Sequence, residues 1–164
     1  MRKGIGAVLG LALVGLAAVP AQAAEDPSYL TFSGGAFGVR KSDTLQGEFL
    51  LQYRPNASLW YFKPHAGAMV TTEGSLYGFA GLLMDFHVGN FVITPSTAIG
   101  GYYKGNGVDL GHPAEFRSGI EVAYQFENKS KIGVGVYHMS NLVFGDTNPG
   151  AESVTLSYSY PLGF

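Results

Sequence analysis

The chain has 164 residues, among them 24 glycines, 10 tyrosines, 11 phenylalanines and no cysteine, with 13% charged residues and a formal net charge of -2. That length limits it to one domain, the lack of a basic stripe argues against a nucleic-acid partner, and the lack of cysteine excludes a disulfide framework. So few charges with so many glycines and aromatics suit short strands with aromatic girdles better than a helical domain.

In chain order, Met1-Arg2-Lys3 is a short basic start, residues 5–19 are apolar, and Ala21-Gln22-Ala23 fits a small-x-small cleavage site. Residues 1–23 therefore read as a signal peptide and 24–164 as the exported domain. Beyond residue 23 no apolar run approaches the ~20 residues that a spanning helix needs. If this chain enters a membrane, it does so as a barrel.

Eight strands are expected. The first covers 29–40, the second 45–54 and the third 59–71, where Trp60, Phe62, Ala66, Ala68 and Val70 share a face and Pro64 marks a bulge or a strand end. The fourth covers 76–88, with Asp85 and His87 opposite an apolar face; Gly89-Asn90 is a hairpin signal leading into the fifth, about 91–103. The sixth, 113–127, alternates most cleanly, with Phe116, Ile120, Val122, Tyr124 and Phe126 on one side and Glu115, Arg117, Glu121, Gln125 and Glu127 on the other. The seventh covers 131–141 and the eighth 151–164.

Alternation of this kind in an exported chain indicates an all-β, eight-stranded antiparallel transmembrane β-barrel, apolar toward lipid and polar inside. A barrel of that size has its interior filled by side chains, so the inward charges are expected to form a packed network and not a channel. An even count returns both termini to the periplasmic side. The two longest connections, 104–112 and 142–150, then face outward, as bacterial barrels require. The terminal Phe164, with alternating apolar residues before it, resembles the signal by which the barrel assembly machinery recognises outer-membrane proteins. The expected location is the bacterial outer membrane, crossed many times by the strands.

The informative chemistry lies in the last hairpin. His138 and Ser140 share strand parity with Ile132, Val134 and Val136, and Glu152 shares it with Val154, Leu156 and Tyr158. An imidazole, a hydroxyl and a carboxylate thus project from the apolar face of one hairpin. Taken singly, each has an ordinary reading as a rim serine, an interfacial histidine and a solvated loop-end charge. Together on a lipid-facing wall they are costly, and cost of that kind marks function. A serine hydroxyl becomes a nucleophile when a neighbouring base takes its proton and a third polar group orients that base. This hairpin holds all three.

His138-x-Ser140-Asn141 followed by Asn148-Pro149-Gly150-x-Glu152 resembles the lipid A 3-O-deacylase family, PagL-like outer-membrane acyl hydrolases. The close motif covers about fifteen residues, and the leader, size, strand count and terminal aromatic are consistent over the remainder. The resemblance implies a Ser-His-Glu triad. Ser140 would be the nucleophile, His138 the general base and then acid, and Glu152 the orienting carboxylate. It also implies hydrolysis of the 3-position acyl ester of lipid A, releasing a 3-hydroxy fatty acid with no metal or other cofactor. Asn141 is expected to stabilise the oxyanion through its amide or its backbone N–H. The chain departs from the family pattern at Leu142-Val143, where small residues, often Ala-Gly, are usual.

The partners expected on this reading are lipopolysaccharide, outer-membrane lipid and the assembly machinery, with dimerisation left open. Competing readings are a noncatalytic structural or adhesive barrel, and another lipid enzyme such as a phospholipase or acyltransferase. His65, His87 and His112 stand at no metal-binding spacing, and Asp109 and Asp146 read as turn formers.

Overall fold

The computed structural model describes residues 26–40, 42–142 and 144–163; the expected signal peptide and Phe164 lie outside the described residues. The strands are β1 Ser28–Phe37, β2 Gln46–Arg54, β3 Lys63–Thr71, β4 Leu76–Leu83, β5 Phe86–Val88, β6 Phe91–Tyr103, β7 Ala114–Gln125, β8 Lys131–Ser140 and β9 Ala151–Leu162. All pairings are antiparallel, and β9 returns to β1 through partners from Ser28↔Leu162 to Phe37↔Ser153, so the wall closes.

Nine segments make eight staves. β4 and β5 pair with the same strand, β6, in one continuous register, Leu83 opposite Ser96 and Phe86 opposite Ile93. The gap between them faces Pro95, which has no N–H to give to the ladder. Met84 still donates its own N–H to the Pro95 carbonyl at 3.1 Å. The stave expected over 76–88 is thus one element interrupted by a missing donor.

Two expected boundaries move. The third strand begins at Lys63 and not at residue 59, because Leu59 and Phe62 close a turn through two mutual backbone hydrogen bonds of 2.9 and 3.1 Å, and Trp60 sits at φ 59°. A left-handed residue cannot continue a strand, so Trp60 and Phe62 stand in the connection, with Leu59, Trp60 and Tyr61 largely exposed. Pro64 lies at the strand end, beyond the β2 ladder, which starts at Tyr53↔Ala66. The first strand stops at Phe37 because Gly38 turns to φ +76°, where a Cβ would lie 2.2 Å from the Thr44 carbonyl.

Facing follows the alternation. Phe32, Phe49, Val70, Leu82, Ile99, Val122, Val134 and Leu156 are exposed on the outer wall, while Glu48, Arg54, Glu121 and Lys131 are buried in the lumen. Charges there are costly unless paired. Arg54 holds Glu121 through two bonds of 3.0 and 3.3 Å, and Arg117 reaches Glu48 at 3.3 Å. Ser157 and Ser153 each donate at 2.9 Å to Glu121 and Glu48 respectively. Lys63 spans Asp26 and Asp85 at 3.0 Å each. The expected polar network is therefore present through the middle and the turn end of the barrel.

Toward the opposite end, where the two long connections lie, an apolar cluster fills the lumen beside the buried Gln46, Glu48 and Glu115. Phe37, Leu50, Met69, Tyr77, Tyr102, Leu110 and Met139 pack into one buried cluster. Alternation marks each of these as inward, but only closure brings them together. The result is a filled cylinder in which the apolar cluster under the long loops interleaves with buried polar groups.

Candidate active site

β8 and β9 bring two of the expected residues into contact. His138 and Glu152 are direct register partners, and the imidazole Nδ1 lies 3.2 Å from Glu152 Oε1. Both project from the outer wall, in line with Val136 and Val154, which are themselves exposed. The imidazole side chain is 51% exposed and the carboxylate 26%. Backbone pairing in the hairpin determines this contact, since directly opposed strand residues have Cβ atoms only ~4.5–5.5 Å apart.

Ser140 is the next outward residue along β8, opposite Phe116 of β7. Its Cα is ~6.6 Å from that of His138 by strand rise. No hydrogen bond joins the two side chains, and the Ser140 hydroxyl bonds no described residue. The ring's other edge is located by Gly150, at φ +64°, where a Cβ would lie 2.9 Å from His138 Cε1 and 3.6 Å from Nε2. With Nδ1 on the carboxylate, Nε2 is the nitrogen left to serve a hydroxyl.

Asn141 is fully buried, with Nδ2 donating to the Leu110 carbonyl at 2.7 Å and the Thr147 carbonyl at 2.8 Å. Its backbone N–H donates to Asn148 Oδ1 at 3.2 Å. All three of its donors are bonded within the protein, to two loop carbonyls and the Asn148 amide oxygen. The reason is parity: if Ser140 faces outward, the next residue faces inward. Asn141 fastens the connection before β7 to the connection before β9. Asn148 completes the clamp by donating from Nδ2 to the Leu142 carbonyl at 2.9 Å, and Leu142 is held at φ 57°.

Other residues of the site have no local sequence signal. Arg40 Nη1 lies 3.0 Å from Glu152 Oε1, the same oxygen that faces the imidazole. The Gly38 and Val39 N–H groups both donate to the Glu152 carbonyl, at 2.8 and 3.2 Å. The chain leaving β1 therefore braces the acid from 112 residues away. At 68% exposure the guanidinium adds little stability; what it supplies is charge and orientation. Gly150 is similar, since only the folded hairpin puts the imidazole over it.

The remaining histidines have structural partners. His65 meets Gln52 at 2.7 Å, His87 meets Asp26 at 3.1 Å, and His112 accepts the Ala114 N–H at 3.0 Å. Asp109 takes the Gly111 N–H at 2.9 Å and Lys104 at 2.7 Å, closing its own turn. The site as a whole presents an unbonded hydroxyl, an imidazole oriented by a carboxylate, and a surrounding apolar wall. That set suits acyl transfer from a lipid ester.

Comparison with known proteins agrees in fold and family. Among solved structures, the crystal structure of the outer membrane enzyme PagL superposes with a TM-score of 0.64 at 21% identity, over 82% of this chain and 99% of that one. The backbone structure of the Yersinia pestis outer membrane protein Ail in a phospholipid bilayer nanodisc gives 0.49 at 12% identity, over 81% and 99%. No curated protein matches the chain. A family model described as Lipid A 3-O-deacylase (PagL) matches residues 27–161. Since that match runs from ahead of β1 to the penultimate residue of β9, the chain belongs to the lipid A 3-O-deacylase (PagL) family.

Proposed function

We propose that this barrel sits in the outer membrane with its long connections outward and hydrolyses the 3-position acyl ester of lipid A in the outer leaflet. The observation that carries the reading is the His138–Glu152 pair at 3.2 Å on the lipid-facing wall, one outward step from Ser140. A soluble substrate would be badly served there, whereas a lipid ester arrives by lateral diffusion.

Ser140 Oγ attacks the ester carbonyl carbon while His138 Nε2 takes the hydroxyl proton. The tetrahedral intermediate collapses, the bond from the carbonyl carbon to the sugar 3-oxygen breaks, and Nε2 returns the proton to that oxygen. A water molecule, deprotonated by the same nitrogen, then cleaves the acyl-serine and releases a 3-hydroxy fatty acid. Glu152 holds Nδ1–H throughout and offsets the imidazolium charge. Arg40, 3.0 Å from the same carboxylate oxygen, holds Glu152 turned toward the ring. Assembly through the terminal Phe164 belongs to the same reading.

The test is mass spectrometry of lipid A from a Gram-negative host expressing either the native chain or Ser140→Ala. Loss of one hydroxyacyl mass with the native chain alone supports the reading. Unchanged lipid A beside an abundant, folded barrel refutes it in favour of a noncatalytic protein. A changed phospholipid pool instead points to a phospholipase.

A further inference from the structure

The outer wall beside the site carries a second polar feature. Thr97, Ser118, His138 and Glu152 are successive register partners on β6, β7, β8 and β9, so one rung across four strands is polar. Apart from Ser140, its neighbours are apolar. The rung on one side runs through Ile99 and Phe116 to Ser140, and the rung on the other through Pro95, Ile120, Val136 and Val154. Thr97 and Ser118 are exposed on this wall, and their hydroxyls bond each other at 2.9 Å. Hydroxyls facing hydrocarbon are costly, and one mutual bond leaves each with unused capacity. Whichever of the two donates, the pair can still give or accept one more hydrogen bond.

The rung also slopes. Beyond Thr97 it continues to Leu82 and Pro64, and Pro64 is the second residue of β3 at the short-turn end. In the other direction it ends at Glu152, the second residue of β9 at the long-loop end. Ser118 therefore lies deeper along the wall than His138, and Thr97 deeper again. An acyl chain that descends from an ester held at Ser140 passes Ser118 first.

We propose that Ser118, backed by Thr97, recognises a 3-hydroxyl on the acyl chain being removed and so selects 3-hydroxyacyl esters over plain acyl esters. This rests on the deacylase reading above. Ser140 and Ser118 are diagonal neighbours on adjacent strands, a separation of ~7–8 Å. The reacting carbonyl carbon stands ~3–3.5 Å from the Ser140 oxygen, the chain's hydroxyl is three bonds further on, and a hydrogen bond of ~2.8 Å closes the rest. A hydroxyl is the right ligand chemistry because, like the pair it meets, it can act as donor or acceptor. Since a plain chain leaves Thr97 and Ser118 bonded to each other and not stranded, the discrimination is moderate, about tenfold, and not the ~10⁴-fold of sites whose polar groups are left unpaired.

The experiment uses the purified full barrel in mixed micelles with two synthetic glucosamine lipids. One carries a 3-hydroxyacyl ester at the 3-position, the other a plain acyl ester of equal length. The native chain should prefer the hydroxyacyl lipid about tenfold in kcat/KM. Ser118→Ala should abolish that preference, and Ser118→Thr should restore it. A preference unchanged in Ser118→Ala, or a native chain that cleaves both lipids equally, overturns the proposal while leaving the deacylase reading intact. Cleavage of neither lipid overturns the deacylase reading and this proposal with it.

Discussion

Replacing Gly150 with alanine would place a methyl carbon 2.9 Å from His138 Cε1 and 3.5 Å from the Met139 carbonyl oxygen. Carbon atoms pack at ~3.5–4.0 Å, so the imidazole must retreat by roughly 0.6–1 Å. Its bond to Glu152 is already 3.2 Å long and does not survive that movement, because hydrogen bonds weaken steeply beyond about 3.2 Å. Misplacing a catalytic group by about 1 Å costs up to ~10²-fold in rate, so deacylation should fall by about ten- to a hundredfold. The left-handed φ of +64° adds a backbone cost of ~1–2 kcal/mol, too little to unfold a closed barrel. The assay is the initial rate of deacylation by refolded protein in lipid vesicles, normalised to the folded fraction by circular dichroism. Gly101→Ala is the control, since a methyl there meets nothing within 4 Å. If Gly150→Ala retained the native rate while folded, the imidazole would not be working from where this hairpin holds it, and the proposed triad would fail.

In the lumen, Glu121→Gln leaves the Arg54 guanidinium without its counter-charge in a buried site; equilibrium urea unfolding in vesicles should register a loss of about 3–5 kcal/mol. Adding Arg54→Met to that variant should recover much of the loss, and a single-variant cost below about 1 kcal/mol would show that water reaches the pair. Near the site, Leu142→Gly should stabilise the barrel slightly, by about 0.5–1 kcal/mol, because relief of the φ 57° strain exceeds the entropy cost of glycine. An unfolding midpoint below that of the native chain would mean that the exposed Leu142 side chain contributes more by its contacts than its backbone loses.

Much of the architecture is a local property of the chain, and so it was legible there. Which side of the wall a residue faces depends only on strand parity, and that alone put Ile132, Val134, Val136, His138 and Ser140 on one face. Parity also placed the Asn141 side chain on the opposite face. Strand ends were less legible. Trp60 and Gly38 leave the extended conformation for reasons of turn geometry that a run of apolar residues conceals, and Pro95 interrupts a ladder on the strand opposite its own.

The tertiary structure decided everything that depends on which residues are opposed across the wall. Register pairs His138 with Glu152 and extends the same rung to Ser118 and Thr97. Closure carries Arg40 to Glu152 and gathers scattered inward aromatics into one buried cluster. The physical reason is that alternation repeats every two residues and is written into each strand alone, whereas the offset between strands is settled by the whole sheet closing on itself. From the sequence come the chemical groups and the surface that bears them; from the closed cylinder come the distances that let them act together.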